Sequence, residues 1–315
     1  MESNVLLMGT VHDLLEAKGK QEALKFELDR PVVEAAAAYM ADEDTGIGFL
    51  YSGWCQAALP HRKLPNDQGW QLDVERVRLI VEPGMRGTNT GKPELVGIPY
   101  GSRARLILLR LQSEALRTNS RDVELGRSLR DWLEKMGIPV GGRSLKDVRD
   151  QTERISRCRL TFEVRQAGRV GIQPHNIMES AVFLENEDPT QSSLFAQHAR
   201  LSVAFFEGLR RHSVPLEESA IRAIANNSMA LDVYAWLAYR LHALVKPTSV
   251  SWKALKQQFG AGFNRLDNFK TTFTSNLRLA MAVYRDARVE EDKGALILHP
   301  SRPPVSPRQI SARSW

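Results

Sequence analysis

Only two cysteines occur in 315 residues, Cys55 and Cys158, far apart and outside any CxxC spacing, which excludes a disulfide framework and a structural zinc site. Long hydrophobic runs are missing too. Nowhere do about 18 apolar residues follow one another, and the opening MESNVLLMGTVHDLLEAKGK has no basic region ahead of a short apolar stretch. The expectation is a protein of the reducing cytoplasm, without export and without a membrane span. Aromatics make up 7%, charged residues 25% and hydrophobic residues 43%, which excludes wholesale disorder, a collagen-like chain and a coiled-coil fibre. At roughly 100–200 residues per domain, the length predicts about two globular domains.

Catalytic signatures are equally scarce. The nearest approach to a phosphate-cradling GxxxxGK[ST] loop is Gly87-Thr-Asn-Thr-Gly91-Lys92-Pro93, which has one residue too few between its glycines and proline where a hydroxyl is needed. With Gly84 and Pro93 flanking it, it reads as a polar turn. The histidines (His12, His61, His175, His198, His212, His242, His299) form no HxH or HExxH pair, so a metal-dependent nicking or joining enzyme loses its main support. No GxSxG elbow occurs, and Asp42, Glu43 and Asp44 read as a solvated loop. The expectation is a non-enzymatic protein with no cofactor and no metal.

What is present is a modest excess of base. Lys and Arg number 43 against 37 Asp and Glu, a formal net charge of +6. That favours an acidic partner such as nucleic acid, provided the charge is concentrated somewhere.

The pattern along the chain predicts an α+β fold. Two helical stretches, around Val11–Leu28 and at Pro31–Met40, read as an N-terminal appendage. Strands are expected at 46–54 and 76–82, and helices at 102–116, 127–136 and 144–157, with Ser120 or Asp122 capping a turn and Gly137 and Pro139 stopping the second helix. Strands at 160–166 and 169–174, turning at Ala167-Gly168, and a further strand at 180–185 complete a winged helix-turn-helix pattern. The pattern then recurs: a helix at 231–245, a short helix at 251–259, a glycine-bearing turn at Gly260 and Gly262, a long helix from Asn264 to about Tyr284, and a wing at 287–299. The apolar segment 200–209 and a helix at 216–225 join the two units. The expected organisation is a helical appendage (1–45), a first winged-helix domain (46–186), a second (187–304) and a basic Pro/Ser-rich tail (305–315).

Projecting the two long third helices at 100° per residue separates their faces. In the first, Leu145, Val148, Thr152 and Ile155 share the core arc. The outer arc holds Arg143, Lys146, Arg149, Arg154 and Arg157 interspersed with Asp150 and Glu153. It reads either as a solvated face with i,i+4 pairs or as a surface for DNA backbone contact or dimerisation. In the second, Leu266, Phe269, Phe273, Leu277 and Tyr284 share the core arc, opposite Asn264, Asn268, Lys270, Thr271, Thr274, Ser275 and Arg278. An ordinary polar helix face is rich in Glu and Lys; this one has no Glu. Asn suits adenine edges, Arg and Lys suit guanine and Thr suits the thymine methyl, so the inventory fits major-groove reading. Arg285, Arg288 and Lys293 flank it as phosphate contacts.

The run from YGSRARLILLRLQSEALRTNSRDVELGRSLRDWLEKMGIPVGGRSLKDVRDQTERISRC, with GFLYSGWCQAALPHRKLP before it and LDVYAWLAYRLHAL after it, resembles the RepA-type plasmid replication initiator proteins, from about Gly48 to Pro300. The resemblance implies tandem winged-helix domains that bind repeated sites in double-stranded plasmid origin DNA, help to open it and recruit the host initiator and replicative helicase. It also implies repression of the protein's own promoter as a homodimer in equilibrium with monomer. The dimer edge is expected at Arg76–Glu82 with the first wing strands, and the tail arginines Arg302, Arg308 and Arg313 are expected to add nonspecific attraction. A winged-helix transcriptional regulator without an initiation role is the alternative reading.

Overall fold

The computed structural model describes residues 9–26, 29–74, 77–89, 91–139, 141–166, 169–175, 177–183, 196–307 and 309. The chain divides into a continuous unit, Phe49–Ser213, and a discontinuous one, Met1–Gly48 with Val214–Trp315. Helices α1 (Gly9–Ala23) and α2 (Arg30–Met40) come first, and the chain crosses into the continuous unit within β1 (Ile47–Tyr51). There follow α3 (Ser52–Gln56), β2 (Trp70–Val74), β3 (Val77–Glu82), the hairpin β4 (Gly84–Arg86) and β5 (Glu94–Gly97), α4 (Gly101–Arg117), β6 (Asp122–Glu124), α5 (Gly126–Lys135) and α6 (Gly142–Arg157). Next come β7 (Arg159–Gln166), β8 (Arg169–His175), β9 (Met178–Phe183), β10 (Ala196–Leu201) and α7 (Val203–Arg211). The chain returns within β11 (Ser213–Glu217) to α8 (Glu218–Ala223), α9 (Ser228–Arg240), β12 (Thr248–Ser251), α10 (Trp252–Phe259), α11 (Leu266–Ala282), β13 (Val289–Glu291) and β14 (Ala295–Leu298).

Both units carry the same small antiparallel sheet. In the continuous unit it runs β6-β10-β9, and in the discontinuous unit β12-β14-β13, so each time the strand after the first helix pairs with the last strand. The first helix, α4 or α9, precedes that strand, and two helices, α5–α6 or α10–α11, follow it. The continuous unit inserts β7 and β8 between α6 and β9, and these join β2 and β3 in a second sheet of order β2-β3-β7-β8.

Three expectations are corrected here. The strands at 160–166 and 169–174, expected as the first wing, belong to the four-stranded sheet, and β9 and β10 take the place beside β6. β3, expected as a dimer edge, is hydrogen-bonded on both sides, leaving β2 and β8 as the edges of that sheet. The strand expected over 46–54 stops at Tyr51, where α3 begins. The N-terminal helices, set apart by sequence as an appendage, are part of the discontinuous unit: α2 buries Val32, Val33, Ala35 and Ala36 and lies against α11 and α8. The turn Ala167-Gly168 and the tail residues Arg308 and Arg313 lie outside the described residues.

Local chemistry explains the helices that matter most. The stripe Leu106, Ile107, Leu109 and Leu111 buries α4, and two of its polar side chains serve the backbone of β1: Gln112 Oε1 accepts from Tyr51 N–H (2.7 Å) and Ser113 Oγ from Phe49 N–H (2.8 Å). Gly137, at φ 69, ends α5 in the left-handed conformation that glycine adopts without steric cost. The phosphate-loop near miss is the β4–β5 turn, closed by Thr88 Oγ1 donating to Lys92 O (2.7 Å). Among the described residues, no helix is long and apolar enough to cross a membrane.

The turn from α10 into α11 depends on Gly260. A Cβ there would lie 2.5 Å from Cδ2 of Phe269, whose ring is fully buried and has nowhere to go. Gly260→Ala is expected to cost about 1–3 kcal/mol by overpacking, read as a lower denaturant midpoint; an unchanged midpoint contradicts this packing.

Candidate nucleic-acid interface

α11 forms because Phe269, Phe273, Leu277 and Ala280 recur at helical spacing and are all fully buried. Its start has a backbone at Arg265 in extended conformation and an acid, Asp267, in the first turn, where the helix dipole favours negative charge. Ahead of it, Ser251 Oγ caps α10 by accepting from Ala254 N–H (3.2 Å).

The opposite face of α11 is uncovered over its first three turns. Asn268, Thr271 and Ser275 are exposed, as is Asn264 just before the helix. Thr272, absent from the sequence-based set, is exposed beside them, and Lys253 presents a further exposed cation on α10. Lys270 and Thr274 lean toward the β13–β14 hairpin. Lys270 Nζ lies 5.1 Å from the Trp252 ring centroid and donates to Lys293 O (3.3 Å), and Thr274 Oγ1 lies 3.5 Å from Glu291 Oε1. Lys293 is exposed at the hairpin turn, and Arg288 is exposed before β13. Leu266, placed in the core arc by projection, is 41% exposed because it opens the helix and has no element above it.

The far end of the face is occupied. Arg278 Nη1 meets Asp29 at 3.2 Å, and Arg285 meets Glu16 at 2.7 Å and Asp13 at 3.9 Å, all three carboxylates coming from the N-terminal helices and the segment between them. These pairs are solvent-exposed, worth about 0–1 kcal/mol each, so they hold the guanidiniums without locking them. A cavity of about 350 Å³ in the same unit is lined by Glu16, Tyr39, Asp42, Asp44 and Glu217, where Tyr39 donates to Glu217 at 2.7 Å. Burial raises the Glu217 carboxyl above its ordinary range. Arg285 also lines it, but the four carboxylates outweigh that one charge, so the cavity is unsuited to phosphate.

In the continuous unit, α6 buries Val148, Thr152 and Ile155 and exposes Arg143, Lys146 and Arg149. Arg157 is exposed but tethered, donating to Met85 O (3.0 Å) and pairing with Glu153 (3.2 Å). Arg154 departs from the expectation of DNA contact. It is only 3% exposed, pairs with Asp150 (2.8 Å), donates to Ile98 O and Asn66 Oδ1 (both 3.3 Å), and stacks 5.3 Å from the Tyr100 ring centroid. Gly97, at φ 78, admits this guanidinium: a Cβ there would sit 2.2 Å from Nη1.

A family model described as "Plasmid encoded RepA protein" matches residues 98–253. That stretch is similar to the plasmid RepA family. The matched stretch runs from just after β5 through α4–α9 and β12 to the first turn of α10, so α11 lies beyond it. A crystal structure of domain 2 and domain 3 of RctB is similar to this chain, with a TM-score of 0.50 and 14% identity over 81% of this chain and 99% of that one. A second crystal structure of RctB domains 2-3 has a TM-score of 0.46 and 14% identity over 77% and 93%. At that identity the first likeness is one of fold. No curated protein matches the chain.

Arg154→Ala removes the guanidinium that donates to the Ile98 carbonyl and Asn66 and is expected to destabilise the continuous unit by about 1–3 kcal/mol, whereas the exposed Arg149→Ala changes stability by less than about 0.5 kcal/mol. Chemical denaturation of both variants checks this, and equal midpoints overturn it.

Proposed function

We propose that this chain initiates plasmid replication by binding repeated sites in the plasmid origin as a protein of two winged-helix units, reading sequence with α11 and breaking no covalent bond itself. The carrying observation is the uncovered row Asn264, Asn268, Thr271, Thr272 and Ser275 on a helix whose other face is sealed in aromatic core, in a chain similar over residues 98–253 to the plasmid RepA family. A helix fits the major groove, and its N-terminal residues reach base edges first. Lys293 at the hairpin turn and Arg288 beside it are placed for phosphates, which set register and carry no sequence information.

The topology supports the winged-helix reading. In each unit the two consecutive helices are followed, directly or after β7 and β8, by an antiparallel strand pair whose last strand also pairs with the strand that follows the first helix. In the continuous unit, Arg143, Lys146 and Arg149 offer backbone contacts. Origin opening then draws on binding free energy and DNA deformation. Recruitment of the host initiator and helicase, and repression of the protein's own promoter as a dimer, complete the reading on the family resemblance.

A plasmid carrying only this gene and its flanking DNA is expected to replicate, and purified protein is expected to protect tandem repeats in that DNA. Asn268→Ala should weaken binding to those repeats by about 5- to 150-fold, the scale of one good base contact, and abolish replication with the fold intact. Promoter repression without replication would favour a transcriptional regulator instead; a covalent protein–DNA adduct on supercoiled plasmid would overturn the non-enzymatic reading.

A further inference from the structure

The start of α11 carries a pair that the row of exposed polar residues does not include. Arg265 immediately precedes the helix, and its side chain is 72% exposed; Asp267, in the first turn, is 60% exposed. Arg265 Nε donates to Asp267 Oδ1 at 3.0 Å while Nη2 donates to Oδ2, a side-on bidentate contact. The carboxylate is itself fixed to the backbone, because Oδ1 also accepts from Asn268 N–H at 3.1 Å. The hydrogen bond from Arg265 lowers the Asp267 pKa below its ordinary value, so the acceptor stays ionised at neutral pH.

A guanidinium has five N–H donors in a planar fork. Asp267 takes one on Nε and one on Nη2. The end-on pair, one N–H on each terminal nitrogen, takes no part in that contact, and it matches O6 and N7 of guanine. An exposed ion pair contributes little to stability, and a carboxylate at a phosphate-facing surface repels DNA. Its effect on Arg265 accounts for it: a side chain already held in one plane loses less freedom when it makes a bidentate contact.

We propose that Arg265 reads a guanine in the major groove and that Asp267 is the positioning residue that aims it. This rests on the reading of α11 as the DNA-contacting helix and adds its guanine-specific member. Arg265 joins the reading row between Asn264 and Asn268.

The test uses the full chain and duplexes from the DNA flanking its gene that the wild type protects, with each base pair changed in turn and binding titrated across salt. Arg265→Ala is expected to weaken the best duplex by about 5- to 150-fold and to flatten the preference at one G·C pair. Asp267→Ala, which keeps the arginine, should flatten the preference at the same pair while binding to shuffled duplex stays equal or rises. Arg265→Lys should not restore it, since an ammonium lacks the planar fork. A uniform loss across all duplexes, with a salt dependence shallower by about one unit of slope, would mark a phosphate contact and overturn the assignment. A wild-type preference that survives both substitutions removes this proposal alone, whereas a wild type that prefers no duplex removes the DNA-reading helix and this proposal together.

Discussion

The roll of α11 about its own axis is fixed by rings. Phe269 and Phe273 lie 5.3 Å apart between centroids, Phe273 meets Phe259 at 5.3 Å and Trp252 at 6.1 Å, and Phe269 meets Phe263 at 5.7 Å. Each such pair contributes about 0.5–1.5 kcal/mol beyond its buried area, and together they leave the helix one orientation. Because successive residues are 100° apart, that single orientation decides that Asn268, Thr271 and Ser275 face outward and that Lys270 and Thr274 turn toward the hairpin. Trp252 serves both sides of this arrangement: its ring packs on Phe273, carries Lys270 above it, and its Nε1 donates to Asp292 O at 3.3 Å. Helix and hairpin are thereby tied through one indole.

The same rings explain how far the sequence could be read. Phenylalanines four residues apart announce a buried stripe and, by exclusion, the face opposite, so most of α11 was legible. Leu266 was not, because hydrophobicity alone cannot tell that a residue sits on the first turn with nothing above it. Projection at 100° per residue sets Arg154 on the outer arc of α6; its burial depends on Asn66, Ile98 and a left-handed Gly97, contacts made across the fold. β6 is three residues long, too short to leave a period-two signal, yet without it the pairing of β9 and β10 is undetermined and the β7–β8 hairpin looks equally suited to the wing. Arg278 and Asp29, 249 positions apart, meet only in the folded chain.

Net charge describes this molecule poorly. Several cations are committed to carboxylates: Arg78 to Asp73 and Glu163, Arg86 to Glu94 and Glu153, and Arg222 to Asp42 and Asp44. What remains on the α11 side is a short row of exposed Asn, Thr and Ser side chains with a few charged groups at its borders.

The discontinuous unit also sets an order of events during synthesis. The apolar face of α2 is covered by α8 and α11, which are made only after the whole of Phe49–Ser213 has been polymerised. At translation rates of about 5–20 residues per second, that interval is on the order of ten to thirty seconds. Throughout it, α2 has only α1 as a native neighbour, while the continuous unit can close on itself. The nascent chain therefore carries a sticky N-terminal helix past a domain that is already folding, a window in which a chaperone or a premature contact would act on α2 before any other element.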